Sequence, residues 1–165
     1  MKKQSVFLLA AAVLCALSLA VMAAALAFGK PDDTAVFVPP TFDASAVKGE
    51  PDVPDGVDII EPYTEGMTFR ASVIGMAEVR GSEAYVYFAN KAENDVWLLL
   101  RIMDEQGSVL AQSGLVRPGE YVKTVAFTSV PADGQRIVYK VMAYEPETYY
   151  SKGHFELKTF ACVCE

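Results

Sequence analysis

The chain has 165 residues, of which 52% are hydrophobic, and carries a formal net charge of −7. That length is enough for one packed domain beside a targeting segment. The acid excess argues against nucleic acid as a partner, because nucleic-acid binding needs a basic surface.

Residues 1–5 form a short basic start, with Lys2 and Lys3, ahead of an apolar run from Val6 to Phe28. As a helix rising 1.5 Å per residue, those residues reach roughly 34 Å, enough to cross a hydrocarbon core of about 30 Å. The run is longer than the apolar core of a secretory signal, and Ser18 is its only polar interruption. Retention as a signal anchor is therefore the favoured reading, and cleavage at Ala25-Leu26-Ala27 or Ala23-Ala24-Ala25, giving a secreted protein, is the alternative. Cys15 reads as a small membrane-embedded residue, because Ala12-Val13-Leu14 does not make a lipoprotein site before it. Lysines lie before the run and acids dominate after it, so the N-terminus is expected in the cytoplasm and the rest outside.

Residues 29–66 carry nine acids against two bases, with Pro31, Pro39, Pro40, Pro51, Pro54 and Pro62 spread among them. Like charges and prolines favour an extended chain that cannot bury enough apolar surface to order itself, so this stretch reads as a tether. Val36-Phe37-Val38 and Val57-Asp58-Ile59-Ile60 are the exceptions, able to dock on the domain that the tether carries. From residue 67 to 160 the charges nearly balance, ten Lys/Arg against eleven Asp/Glu.

Here the hydrophobic pattern takes a period of two, with turn residues at short intervals. Thr68–Ile74 sets Phe69, Ala71 and Val73 on one face, and Ala84–Asn90 sets Val86 and Phe88 opposite Tyr85 and Tyr87. Val96–Met103 is apolar nearly throughout and reads as a central strand. Asp104-Glu105-Gln106-Gly107 turns into Val109-Leu110-Ala111, and Arg117-Pro118-Gly119-Glu120 turns into Tyr121–Phe127. Pro131-Ala132-Asp133-Gly134 leads to Ile137–Tyr144, and a longer loop leads to Phe155–Phe160. About seven short strands with this punctuation predict an all-β fold, an antiparallel β-sandwich of immunoglobulin-like type over residues 67–160. Trp97 on the third strand is expected in the core, and Tyr139 on the sixth is placed to make a corner hydrogen bond. No cysteine falls on the second or sixth strand, so packing alone must hold the sheets together.

Little in the chain suggests catalysis. A nucleophilic triad outside the membrane would have to use His154, the only histidine, which reads as a half-exposed structural residue at a strand start. Glu145 and Glu147 flank Pro146 as candidate paired carboxylates, and solvation is the plainer reading of both. Gly66, Gly75 and Gly81 lack phosphate-loop spacing. Cys162-Val163-Cys164, in a tail of residues 161–165, can bind a soft metal or exchange disulfides, with His154 as a possible third ligand. A fraying terminus preorganises such a site poorly. Tyr144, Tyr149 and Tyr150 are the candidate binding residues, because tyrosines in a loop at one end of a sandwich suit sugars or protein partners. Covering the open end of the core is their rival role.

Several stretches also carry a likeness. Tyr87-Phe88-Ala89-Asn90 with Asn94, then Arg101 through Leu110 with its Asp-Glu-Gln-Gly turn, then Ser113-Gly114-Leu115-Val116-Arg117-Pro118-Gly119-Glu120-Tyr121 form one pattern. Tyr144–Ser151 and the stretch from Phe42-Asp43 to Pro51-Asp52-Val53-Pro54 extend it. The pattern resembles small membrane-anchored cell-envelope proteins of Gram-positive bacteria. The resemblance spans roughly Pro40 to Phe160; it implies an anchored extracytoplasmic β-sandwich and brings no catalytic residues. The expected function is a non-catalytic, membrane-anchored interaction or structural module that binds an envelope protein or glycan without a cofactor. The alternative is a thiol redox or metal-handling protein using Cys162 and Cys164. Nothing in the residues sets an oligomeric state.

Overall fold

The computed structural model describes residues 13–20, 22, 37–62 and 65–164. The chain divides into two compact units, Met1–Val38 and Pro39–Glu165. In the first, residues 13–20 are helical. Most of the apolar run expected to span a membrane lies outside the described residues, and among those described no helix is long and apolar enough to cross one.

The second unit is a curled mixed sheet of ten strands: β1 (Val47–Lys48), β2 (Ile59–Ile60), β3 (Ala71–Ile74), β4 (Ala77–Arg80), β5 (Glu83–Asn90), β6 (Trp97–Asp104), β7 (Val109–Gln112), β8 (Glu120–Ala126), β9 (Arg136–Tyr144) and β10 (Ser151–Val163). The order along the sheet is β1-β8-β5-β4-β10-β9-β6-β7, with β3 also on β5 and β2 on β3. A bridge between Ala111 and Phe127 and the bond from Thr128 N to Leu110 O (2.8 Å) link β7 back to the end of β8. The sheet thus curls until its two flanks touch. β4 and β10 run parallel, whereas the other paired strands are antiparallel.

Alternation explains most of the core. Phe69, Val79, Val86 and Phe88 from one side meet Leu98, Leu100, Ile102, Tyr139 and Val141 from the other. In β5, Tyr85 faces Thr124 but Phe88 faces Val122, so two residues, Val86 and Tyr87, oppose the single Lys123 at a bulge, with Tyr87 at φ 45°. The β6–β7 turn is fixed by Asp104, whose Oδ1 accepts from Gln106 N (2.9 Å) and Ser108 N (2.7 Å), with Gly107 at φ 86°. Asn90, at the end of β5 and buried, donates through Nδ2 to Val96 O (2.9 Å) and Val116 O (2.8 Å). One amide thereby ties the end of β5 to the residue before β6 and to the segment before β8.

Three sequence expectations change. Much of the tether is laid on the sheet: β1 pairs with β8, β2 with β3, and Phe42 bridges Leu115. Asp43 makes this docking possible, its Oδ2 accepting from Gly114 N (2.8 Å) and its own N–H donating to Leu115 O (2.9 Å). Lys91 holds the far end, its ammonium 2.6 Å from Glu61 and 3.4 Å from Glu50. Three of the acids that suggested self-repulsion, Asp43, Glu50 and Glu61, thus have partners elsewhere in the chain. Secondly, Trp97 is half-buried on the face opposite the core, with Val96 and Leu98 on either side of it pointing inward. Thirdly, β10 does not end at Phe160: Ala161, Cys162 and Val163 pair with Ala77, Glu78 and Val79. The hydroxyl of Tyr139 is buried and has no hydrogen-bond partner in the structure, so the corner bond does not form.

Candidate functional site

The outward position of Trp97 builds a site that the sequence only half reveals. Trp97 on β6 faces Tyr144 on β9 in register. Phe42, from the docked segment, packs edge-on to the indole at 4.7 Å, and the Arg117 guanidinium lies 3.5 Å from the centre of the Phe42 ring. Tyr149 closes on the indole at 5.3 Å with its plane at 63°. The result is an aromatic shelf at one end of the sheet's outer face.

The loop that carries Tyr149 is tightly determined. Pro146 cannot donate to a ladder, so strand pairing stops at Tyr144 and the chain turns back on itself. Glu145 N donates to Tyr150 O (2.8 Å), Tyr149 N to Glu145 O (3.0 Å) and Thr148 N to Pro146 O (2.7 Å). The Glu145 carboxylate accepts from Thr148 Oγ1 (2.8 Å) and lies 2.9 Å from the Lys152 ammonium. Lys152 and Thr148 together hold its pKa below the ordinary glutamate value. Glu147 and Tyr149 adopt left-handed backbone angles, φ 67° and 58°, which a non-glycine residue holds only when its surroundings compel it. These bonds fix Tyr149 on Trp97 and leave Tyr150 72% exposed. Tyr144 is half-buried within the shelf, its hydroxyl 3.8 Å from Met142 Sδ.

The three tyrosines therefore come together at one end, in different roles. Tyr144 and Tyr149 build the shelf and Tyr150 projects from it. Sequence reasoning missed Phe42 and Trp97 as members. For Trp97 a signal existed: Arg101, four residues along the same strand, shares its parity and marks that face as the solvent side.

The remaining candidates do not assemble. His154 and Cys162 lie on one continuous strand, and eight residues at about 3.4 Å each put them roughly 27 Å apart, far beyond sharing an ion. A Cys₂His site is thus excluded by the same strand that removes the fraying tail. Among the described residues no group of three or more His, Cys, Asp or Glu side chains could hold a metal. Cys162 and Cys164 are free thiols, and Cys164 N donates to Val79 O (2.9 Å). Partial burial, with Cys162 and Glu78 beside it, pushes the Cys164 thiol pKa up, away from the reactive thiolate. Glu145 is committed to Lys152 and Thr148, while Glu147 is exposed beside it.

No protein-family profile, curated protein or solved structure matches this chain.

Proposed function

We propose that the chain is a non-catalytic interaction module, anchored through Val6–Phe28 with its sheet outside the cytoplasm, that grips an envelope protein or glycan through the Trp97–Tyr149–Tyr150 shelf. The observation that carries this reading is the loop after β9. It accepts two left-handed non-glycine residues to seat Tyr149 on Trp97 and turn Tyr150 outward. A rigid aromatic surface loses little side-chain entropy on binding, so its contacts count nearly in full. The orientation rests on Lys2 and Lys3 before the apolar run and the acids after it.

The immunoglobulin-like sandwich belongs to the same reading. Its support is the partnering of β5 with β8 on one side and the run β10-β9-β6-β7 on the other, with the parallel β4–β10 pair between them. The test is capture of the full-length chain, in neutral detergent, on envelope from its own cell. Tyr150→Ser removes an exposed ring and should weaken capture about tenfold with an unchanged melting temperature. Unchanged capture would overturn the reading.

A further inference from the structure

Register places a defined set of side chains beside the shelf, on the outer face of β10, β9, β6 and β7. Opposite the core residues Ile137, Tyr139 and Val141 lie Arg136, Val138, Lys140 and Met142 on β9. Lys140 pairs across with Arg101 on one side and Glu156 on the other, and Val138 pairs with Lys158. The strand face thus holds four bases (Arg101, Arg136, Lys140, Lys158) and one acid (Glu156), in a chain whose net charge is −7. The acid is already engaged: Lys140 Nζ is 2.9 Å from Glu156. Arg101 Nε donates to the neutral Gln112 amide (2.8 Å), and Arg136 meets Glu105 at 3.5 Å with both side chains exposed. Arg101 and Lys158 therefore keep their charge available, and the exposed Arg136 pair holds only weakly.

We propose that this strip is the binding track for an anionic glycan. The proposal rests on the interaction-module reading above and names its ligand class. From Tyr144 to Arg136, the eight steps along β9 span roughly 27 Å, a length suited to a chain of sugars rather than one small molecule. At the shelf end, the apolar face of a pyranose ring can pack on Tyr150 and the edge of Trp97, as sugars do on amphipathic rings. Along the middle, Arg101 offers a planar donor fork that matches carboxylate or phosphate oxygens. At the far end a hollow of about 310 Å³, lined in part by Arg136, Lys158 and Phe160 with Glu105 as its one acid, has room for a charged sugar unit and keeps a net positive charge through Lys158. Charge complementarity selects the acidic polymer, and the aromatic shelf selects sugar over a purely acidic peptide.

The experiment is calorimetric titration of the full-length chain in neutral detergent with four probes of matched length. They are oligogalacturonate (carboxylate), a phosphorylated mannan (phosphate), malto-oligosaccharide (neutral) and polyglutamate (acidic, without sugar). One or both anionic glycans should bind about tenfold or more tighter than the neutral one, and which does so identifies the acid group. Added salt should weaken that binding. Lys158→Gln, and separately Arg101→Gln/Lys158→Gln, should lose about tenfold at an unchanged melting temperature, and Tyr150→Ser should weaken glycan binding but not polyglutamate binding. Equal binding of the neutral glycan overturns the proposal, as does polyglutamate binding equally with no role for Tyr150. If no glycan binds while capture on whole envelope persists and depends on Tyr150, the track is wrong and the module reading stands. If that capture also ignores Tyr150, both fall.

Discussion

Tyr149 and Trp97 are far apart in the chain, yet their ring centres are 5.3 Å apart, and the contact is set by a loop closed by its own hydrogen bonds. Because Trp97 is the only tryptophan, its fluorescence reports that loop directly.

The loop should therefore respond to acid. The Glu145 pKa is lowered by Lys152 and Thr148, so its contribution is present above the ordinary glutamate value and is lost as pH falls through the lowered one. Titrating downward from about pH 4.5 should shift Trp97 emission before the sheet unfolds. Glu145→Gln has no such group to titrate and should abolish that early shift. An identical acid profile in the variant would assign the change to other carboxylates.

The two faces of β6 should differ sharply in cost. Leu100→Ala empties a fully buried position and should destabilise by roughly 2–5 kcal/mol in chemical denaturation. Trp97→Ala, on the outer face, should cost about 1–2 kcal/mol despite removing a larger ring. Equal losses would place the indole in the core.

Gly114 sits where the docked segment crosses most closely. A methyl group there would lie 2.6 Å from Asp43 Cα and 2.8 Å from the Phe42 carbonyl carbon, with the Asp43 nitrogen closer still. Gly114→Ala should cost about 1–3 kcal/mol and open residues 39–62 to limited proteolysis. A protected segment in the variant would show that β1, β2 and Lys91 suffice to hold it.

Tyr139 offers the opposite sign. Its hydroxyl is buried without a partner, so Tyr139→Phe should stabilise by about 1 kcal/mol. Burial also raises the phenol's pKa, so the wild type loses stability as pH rises past about 10, where an unfolded tyrosine ionises. The variant should show a flatter alkaline limb in its unfolding free energy. Destabilisation by the phenylalanine would point to a hydrogen-bonded water on that hydroxyl.

Much of the sheet was legible because its signals are local. Val86 and Phe88 against Tyr85, or Asp104 with Gly107, declare a strand face and a turn within a few residues. What stayed hidden depended on distant partners. Asp43 looks like one more acid in a proline-rich stretch until Gly114 N–H is brought to it. β6 is apolar on both faces, so alternation could not show which side Trp97 occupied, and only Arg101 gave its parity. β4 is four residues long and opens directly after Gly75-Met76, too short to announce itself. The pairing of Cys162 with Glu78 made a strand of what composition suggested was a loose end.

β10 has β9 along one flank from Ser151 to Phe160, while β4 takes the other flank only from Ala161 to Val163. Among the described residues no strand pairs with that second flank before Ala161, and such a run of open amide and carbonyl groups is a template for another copy of the chain. Lys152, Glu156 and Lys158 stand along it, and charge at an edge is what keeps copies from stacking. Of these charges Lys158 is also one that would hold the ligand. A variant stripped of it to silence binding would gain a tendency to self-associate, so loss of ligand and loss of solubility would have to be measured apart.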